Sequence, residues 1–155
     1  MDGGDNEPNY AGALAEVTEG EWAGWNWYPG GDPFEDAAGP FYWKFDADGR
    51  RRCAFRAQER HMNGGRFMHG GCLMTFADYS LFVEAHEAIK DSHAVTASFN
   101  ADFLGKVQVG DLLEATAEVV KAGRSLVFLR GMIATGGAPV MSFSAVLKIT
   151  GPRTG

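Results

Sequence analysis

Asn63 to Glu87, NGGRFMHGGCLMTFADYSLFVEAHE, is the stretch on which the reading of the whole chain turns. Four glycines fall within eight residues, Gly64, Gly65, Gly70 and Gly71, so the backbone can turn sharply and approach a ligand with no side chain in the way. A helix is expected to follow at once. From Cys72 to Ala88 the apolar residues Leu73, Met74, Phe76, Ala77, Leu81, Phe82, Val83 and Ala85 fall on nearly every side of a helical wheel, the pattern of a helix wrapped by protein. Its first N–H groups have no partner within the helix. With the positive end of the dipole they form a site for a carbonyl oxygen that is gaining negative charge.

Asp78 is the second feature of the stretch, an acid in the middle of the apolar helix. A buried carboxylate is costly unless it is paired or used. Two ordinary readings stand beside a catalytic one: an exposed helix position, or a structural hydrogen bond to a neighbouring loop. Met74, Leu81, Phe82 and Ala85 share its face at three-, four- and seven-residue spacing, which argues against a solvated face. Eight residues at about 1.5 Å each put Asp78 roughly 12 Å along the axis from Gly70. One copy therefore cannot bring both to one reacting carbon. If Gly70 polarises a carbonyl and Asp78 activates water, two antiparallel copies of the helix must meet, which predicts a symmetric dimer with two equivalent sites.

Outside this stretch, 155 residues match one ordinary domain with a core of its own. Residues 1–40 read as an acidic, aromatic-rich extension, 41–150 as the domain proper and 151–155 as a tail. Residues 1–48 carry eleven acids and one base, Lys44, whereas 49–155 carry nine acids and thirteen bases, −10 against +4. The acidic first segment makes nucleic acid an improbable partner, and the basic remainder suits a small polyanion such as the polyphosphate of a nucleotide cofactor. Cys53 and Cys72 are the only cysteines and have no metal-ligand spacing, so no metal and no disulfide framework are expected. The opening MDGGDNEPNYAG has neither a basic region nor an apolar run, and no stretch approaches the 18 apolar residues of a membrane span. A cytoplasmic protein with no membrane partner is the expectation.

Taken in order, residues 1–13 read as a loosely attached arm. Residues 14–27 read as weakly helical before the cluster Trp22, Trp25, Trp27 and Tyr28, whose simplest role is packing rather than ligand stacking. A turn-rich PGGDPFEDAAGP follows. Phe41–Phe45 and Arg51–Ala57 read as two strands joined by Asp46-Ala47-Asp48-Gly49. The arginines Arg50, Arg51, Arg52, Arg56 and Arg60 read as a solvated edge, with phosphate contact as the minor alternative. After the helix, Ala94–Phe103 alternates strictly, Val95, Ala97, Phe99, Ala101 and Phe103 against Thr96, Ser98, Asn100 and Asp102, as a strand with one buried face does. Three more strands, Leu112–Lys121, Ser125–Ala134 and Val140–Ile149, are joined by short glycine-bearing turns. A hairpin, one long apolar helix and four antiparallel strands make an α+β fold, a curved antiparallel sheet around one helix.

The pattern Asn63-x5-His69-Gly70-Gly71-x6-Asp78, then Val95–Phe103 with Asn100, then Val109-Gly110-Asp111 and Lys121-Ala122-Gly123-Arg124-Ser125 resembles the hotdog-fold acyl-CoA thioesterases of the phenylacetate-degradation type. The likeness runs from about Phe41 to Ile149 and rests on the ordered set, since no single piece is specific. It implies hydrolysis of an acyl-CoA to a free acid and coenzyme A, with no cofactor beyond the coenzyme A of the substrate. It implies that the Gly70 amide polarises the thioester carbonyl, that Asn63 and His69 help to place the acyl group or water, and that Asp78 from the partner chain is general base or nucleophile. Thr96 stands where a hydroxyl commonly assists the water. Gly71, Met74, Phe82, Phe99, Arg124 and Ser125 are the candidate substrate-binding residues, Arg124 by charge-assisted bonds to a coenzyme A phosphate, with a solvated turn arginine as the plain alternative. For His69 the plain alternative is a helix-start residue bonded to backbone. The implied assembly is a homodimer, or a dimer of dimers through sheet faces.

Two departures bear on the acyl group: the run Phe103-Leu104-Gly105-Lys106 where a proline-containing turn is common, and the long segment ahead of Phe41. The large apolar Met74, Phe82 and Phe99 favour aryl or medium-chain acyl groups. A hydratase or dehydratase on the same fold would need a histidine and a carboxylate set over carbons 2 and 3 of the acyl chain, which the His69-Gly70-Gly71 signature argues against. A non-catalytic acyl-CoA sensor is the competing class. Asp78 discriminates, because a binding-only protein has no need of a carboxylate on an apolar helical face.

Overall fold

The computed structural model describes residues 13–152. The expected loose arm and most of the C-terminal tail therefore lie outside the described residues. The chain runs β1 (Ala15–Glu16), β2 (Asn26–Trp27), α1 (Pro33–Ala38), β3 (Tyr42–Phe45), β4 (Arg51–Arg56), a 3-10 turn (Glu59–His61), α2 (Gly70–Glu84), α3 (His86–Ile89), β5 (Ser92–Phe103), β6 (Leu112–Ala122), β7 (Leu126–Thr135) and β8 (Ala138–Pro152). The strands form a single antiparallel sheet in the order β1-β2-β3-β4-β6-β7-β8-β5. α2 packs across β4, β6, β7, β8 and β5, so the sheet wraps one helix, as the order of elements predicts. Phe55, Phe76, Leu81, Leu113, Ile133, Met141 and Leu147 are fully buried between the two layers.

Two expectations for the segment ahead of β3 are corrected. Residues 14–27 are not helical. Gly20 and Gly24 adopt left-handed φ of 77° and 85°, which breaks a helix and suits turns, and the segment folds back as β1 and β2 on the outer side of β3. Trp22 stacks on Tyr42 with ring centroids 4.4 Å apart, and Lys44 Nζ lies 4.5 Å from the Trp25 ring, so this part of the aromatic cluster packs the segment down. The turn-rich 29–40 run contains a helix, α1. Asp32 caps it by accepting from Phe34 N and Glu35 N at 3.1 and 3.0 Å, and Pro33 occupies its first turn, where a missing N–H costs nothing.

The central helix also differs in detail from the expected Cys72–Ala88 span. It begins two residues earlier at Gly70 and ends at Glu84, where Ala85 closes it and α3 starts a separate turn. Leu73, Phe76, Ala77, Tyr79, Ser80, Leu81 and Val83 are buried, but Met74 is 41% exposed, and Asp78 and Phe82 are half-buried. Among the described residues one stripe of α2 is left uncovered, and it runs beside β5, a strand of 12 residues paired there on one edge.

The strict alternation expected of β5 is interrupted. Thr96 pairs with Leu147 and Ser98 with Val146, with a bulge between them. The extra residue, Ala97, turns the preceding half of the strand over. Thr96 therefore shares the core-facing side with Phe99, Ala101 and Phe103, while Val95 moves to the outer side and is 51% exposed. Among the described residues no helix is long and apolar enough to cross a membrane.

Candidate active site

The start of α2 is built by local bonding. Met68 N donates to Val107 O at 2.8 Å and His69 N to His61 O at 2.9 Å, which fixes the direction from which the chain enters the helix. His69 is the N-cap, its Nδ1 accepting from Gly71 N at 2.8 Å. This is the backbone-bonding alternative named for His69, and it takes up the Gly71 N–H. The Gly70 N–H donates to no group among the described residues. Phe103 lies against Gly70, where a Cβ would come within 3.2 Å of its ring, so a glycine is what lets the ring approach the helix start. In the preceding turn Asn63 Oδ1 accepts from Gly65 N at 2.9 Å and Phe67 N at 3.3 Å, and Arg66 takes a left-handed φ of 63°. The oxygen of Asn63 thus shapes the loop and leaves its amide nitrogen for other partners.

Two turns along α2, Asp78 Oδ1 accepts from Thr96 Oγ1 at 2.6 Å. The β5 bulge makes this bond, since regular alternation would aim Thr96 at the other face. Burial pushes the Asp78 carboxyl above the ordinary range, the Thr96 bond pulls it back, and the charge of Asp32 raises it again. Asp32 belongs to the cap of α1, and α1 packs against α2. Its neighbour Glu35 is half-buried and is pushed up to about 8, first by burial and then by the charges of Asp32, Asp78 and Asp36. The sequence reading missed these acids. The acidic excess ahead of residue 49 was the signal, but composition does not say that α1 folds back onto the middle of α2.

The other candidates divide. Met74 lies on the open stripe of α2 midway between Gly70 and Asp78, and Phe82 one turn beyond Asp78. Phe99 is half-buried on the core side of β5 and stacks with Phe143 at 6.2 Å. Asn100, part of the quoted pattern, points away, into a groove of about 770 Å³ on the outer sheet face shared with Thr116, Arg130 and Ser144. Arg124 and Ser125 are exposed in the β6–β7 turn, where Ser125 O accepts from Ile149 N at 2.8 Å. Cys72 is half-buried beside the helix start with its thiol pushed up to about 11 by burial, so it is no nucleophile at neutral pH. No group of three or more His, Cys, Asp or Glu that could hold a metal occurs among the described residues.

Within one chain the two chemical features stand apart. Gly70 lies against Phe103 and Asp78 against Thr96, and across the bulge these β5 residues are separated by about 20 Å of strand at roughly 3.3 Å per ladder step. One end offers an open amide and the other a basic carboxylate.

A sequence profile described as the Thioesterase superfamily matches residues 65–140. The Pseudomonas aeruginosa protein PA0474, whose name assigns it provisionally as an esterase, is 35% identical over 118 residues, covering 76% of this chain and 88% of its own. Among solved structures, a variant of the phenylacetic acid degradation protein PaaI from Thermus thermophilus superposes with a TM-score of 0.66 at 25% identity, covering 76% of this chain and 98% of that one. A hypothetical thioesterase from Streptococcus pneumoniae, solved with coenzyme A, gives 0.63 at 22% identity, covering 74% and 88%. The match to the relative from Pseudomonas, the profile over the His69-Gly70-Gly71 turn and α2, and the sheet wrapped on one helix agree: the chain belongs to the thioesterase superfamily of hotdog-fold proteins.

Proposed function

We propose that this protein hydrolyses acyl-CoA thioesters to a free acid and coenzyme A, in sites that two copies of the chain complete together. The observation that carries the reading is the pairing of Asp78 with Thr96 on a helix whose starting amide, Gly70 N–H, is open. A thioester needs an oxyanion site and an activated water. In this reading the Gly70 N–H and the helix dipole hold the carbonyl oxygen as it becomes negative. Asp78, kept basic by burial and oriented by the Thr96 hydroxyl, takes a proton from water as its oxygen attacks the carbonyl carbon. The carbon–sulfur bond then breaks, and the proton passes to the departing thiolate. His69 holds the turn by its cap bond, and the free amide nitrogen of Asn63 is available to the acyl group or the water. Met74, Phe82 and Phe99 line the acyl side.

The shared site follows from the separation within one chain. If the free edge of β5 pairs antiparallel with the same edge of a second copy, about a point near Phe99 and Asn100, Thr96 and Asp78 of each copy come opposite Phe103 and Gly70 of the other. The uncovered stripe of α2 and the exposed Val95, Phe103 and Leu104 fit such a seam, and an isologous dimer would bury them. A homologous fold solved with coenzyme A, and another solved with acetyl-CoA, support the choice of thioester carrier. The exposed Arg124 and Ser125 are the proposed contacts for its phosphates.

The test is release of free thiol from a panel of acyl-CoAs by the wild type and by Asp78→Ala. Turnover should fall by about 10² or more in the variant, the usual scale for a positioned base, with binding of the substrate largely kept. Equal rates would remove Asp78 from the mechanism.

A further inference from the structure

Phe103 closes β5, and although it stands on the core-facing side of the strand it is 53% exposed. Its backbone is held by pairing with Met141 of β8, and just beyond it Leu104 N donates to Val140 O at 2.7 Å. The ring leans on the start of α2. A Cβ on Gly70 would meet its Cε1 and Cζ at 3.2 and 3.3 Å and its Cδ1 at 4.0 Å, so the edge of the ring faces the glycine. Gly70 is the first residue of the helix. In a helix the N–H and the Cα–Cβ direction of a residue lie on the same side, both tilted towards the helix N-terminus. The ring therefore stands where the open Gly70 N–H points. A Cβ lies about 2.5 Å from its own nitrogen, which puts the ring edge within roughly 6 Å of the Gly70 nitrogen. An accepting carbonyl oxygen sits about 2.9 Å from that nitrogen, so a carbonyl group held there has Phe103 for a neighbour.

We propose that Phe103 is a specificity-determining residue of this site: its ring walls the space in front of the Gly70 amide, admits thioesters whose carbonyl is followed by an unbranched CH2 group and rejects those that branch at that carbon. The proposal rests on the reading of the Gly70 N–H as the group that holds the thioester carbonyl. With the oxygen on that amide, the carbonyl carbon carries sulfur and the first acyl carbon, and the ring edge is within contact reach of them. The helix start on one side of this slot is fixed, because Met68 N and His69 N are both bonded to backbone. On the other side, in the proposed dimer, stand Thr96 and Asp78 of the second copy. A branch on the first acyl carbon has to enter one of these occupied directions, whereas a branch one carbon further out is clear of the ring. Selection then comes from the clash with the wrong substrate rather than from a better contact with the right one.

The experiment compares wild type and Phe103→Ala on two isomeric substrates of equal size, butanoyl-CoA and 2-methylpropanoyl-CoA. In the wild type kcat/KM should favour the straight chain by about tenfold or more, the scale of one misplaced methyl group in an apolar pocket. In Phe103→Ala the preference should shrink to about threefold or less. Pentanoyl-CoA and 3-methylbutanoyl-CoA, where the branch lies one carbon further out, should keep the same ratio in both proteins, and a shift there as large as in the first pair overturns the proposal. A wild type indifferent to the branch overturns it too, as does a variant that loses both isomers in proportion, the result expected of a merely structural ring. A second measurement needs no turnover: calorimetric binding of the two ketone analogues in which CH2 replaces the thioester sulfur. The wild type should bind the straight-chain analogue more tightly by a similar factor, and Phe103→Ala should not discriminate. Binding of neither analogue, or of both alike, by the wild type sinks the proposal. The expected preference in binding, with neither thioester hydrolysed, would keep Phe103 in its role and remove the hydrolase reading instead.

Discussion

The Thr96–Asp78 hydrogen bond sets how basic the acid at the centre of α2 can be. The hydroxyl stabilises the ionised carboxylate against the burial that would keep it protonated. Replacing Thr96 by valine keeps the shape and removes the donor. Asp78 should then hold its proton to higher pH, and the acid limb of kcat/KM should move up, while Thr96→Ser should leave it nearly in place. A pH-rate profile of the two variants measures this, and an unmoved acid limb in the valine variant would deny the bond any part in tuning the acid. Glu35 supplies a stability counterpart. Its folded-state value is raised above the ordinary 4.5 to about 8, so the folded state favours the protonated form. Stability is fully present below the ordinary value and is lost as pH climbs towards about 8. Only part of this was readable from the chain alone: Asp78 stood out as an acid on an apolar helix and Thr96 as a hydroxyl near the water, but nothing in the alternation of Ala94–Phe103 announced the bulge that joins them.

At the level of elements, His61 ties two segments that are far apart in sequence. It is 4% exposed, its Nδ1 accepts from Gln58 N at 3.0 Å, and its Nε2–H donates to Ala38 O. Both ring nitrogens are used in the neutral form, and burial pulls its protonation below the ordinary 6.5, with the Ala38 bond opposing and the charge of Arg60 assisting. Because the folded value is depressed, this contribution to stability is present above about 6.5 and is lost as acid is added and pH falls through the folded value. His61→Ala should cost about 1–3 kcal/mol at pH 7.5, from two lost bonds and the backbone groups left behind, and it should lessen the acid sensitivity of what remains. Denaturant melts at pH 7.5 and 5 test both parts. The α2 span, the β3–β4 hairpin and the four later strands were legible, because apolar periodicity and turn residues act locally. Residues 14–27 were misread because Gly20 and Gly24 outweigh a weak helical pattern. α1 was hidden in a run rich in turn residues, although Asp32 and Pro33 spell a helix start.

For the molecule as a whole, the sheet carries its two edges differently. Among the described residues β1, two residues long, closes one edge, whereas β5 leaves a 12-residue strand unpaired on the other. Long free edges are a hazard unless something covers them, and a second copy is the proposed cover. The opposite placement of the open amide and the carboxylate along β5 then has a genetic consequence. Gly70→Pro deletes the amide hydrogen at the first helical position, where the missing N–H costs no helix bond but the added ring must push Phe103 aside, and Asp78→Ala deletes the acid; each protein alone should turn over about 10² times more slowly or less. Co-expressed and randomly assorted, they should regain roughly one quarter of normal turnover, because half of the pairs are mixed and each mixed pair holds one whole site. Such complementation between two dead alleles can arise only if each reaction centre is divided between polypeptides.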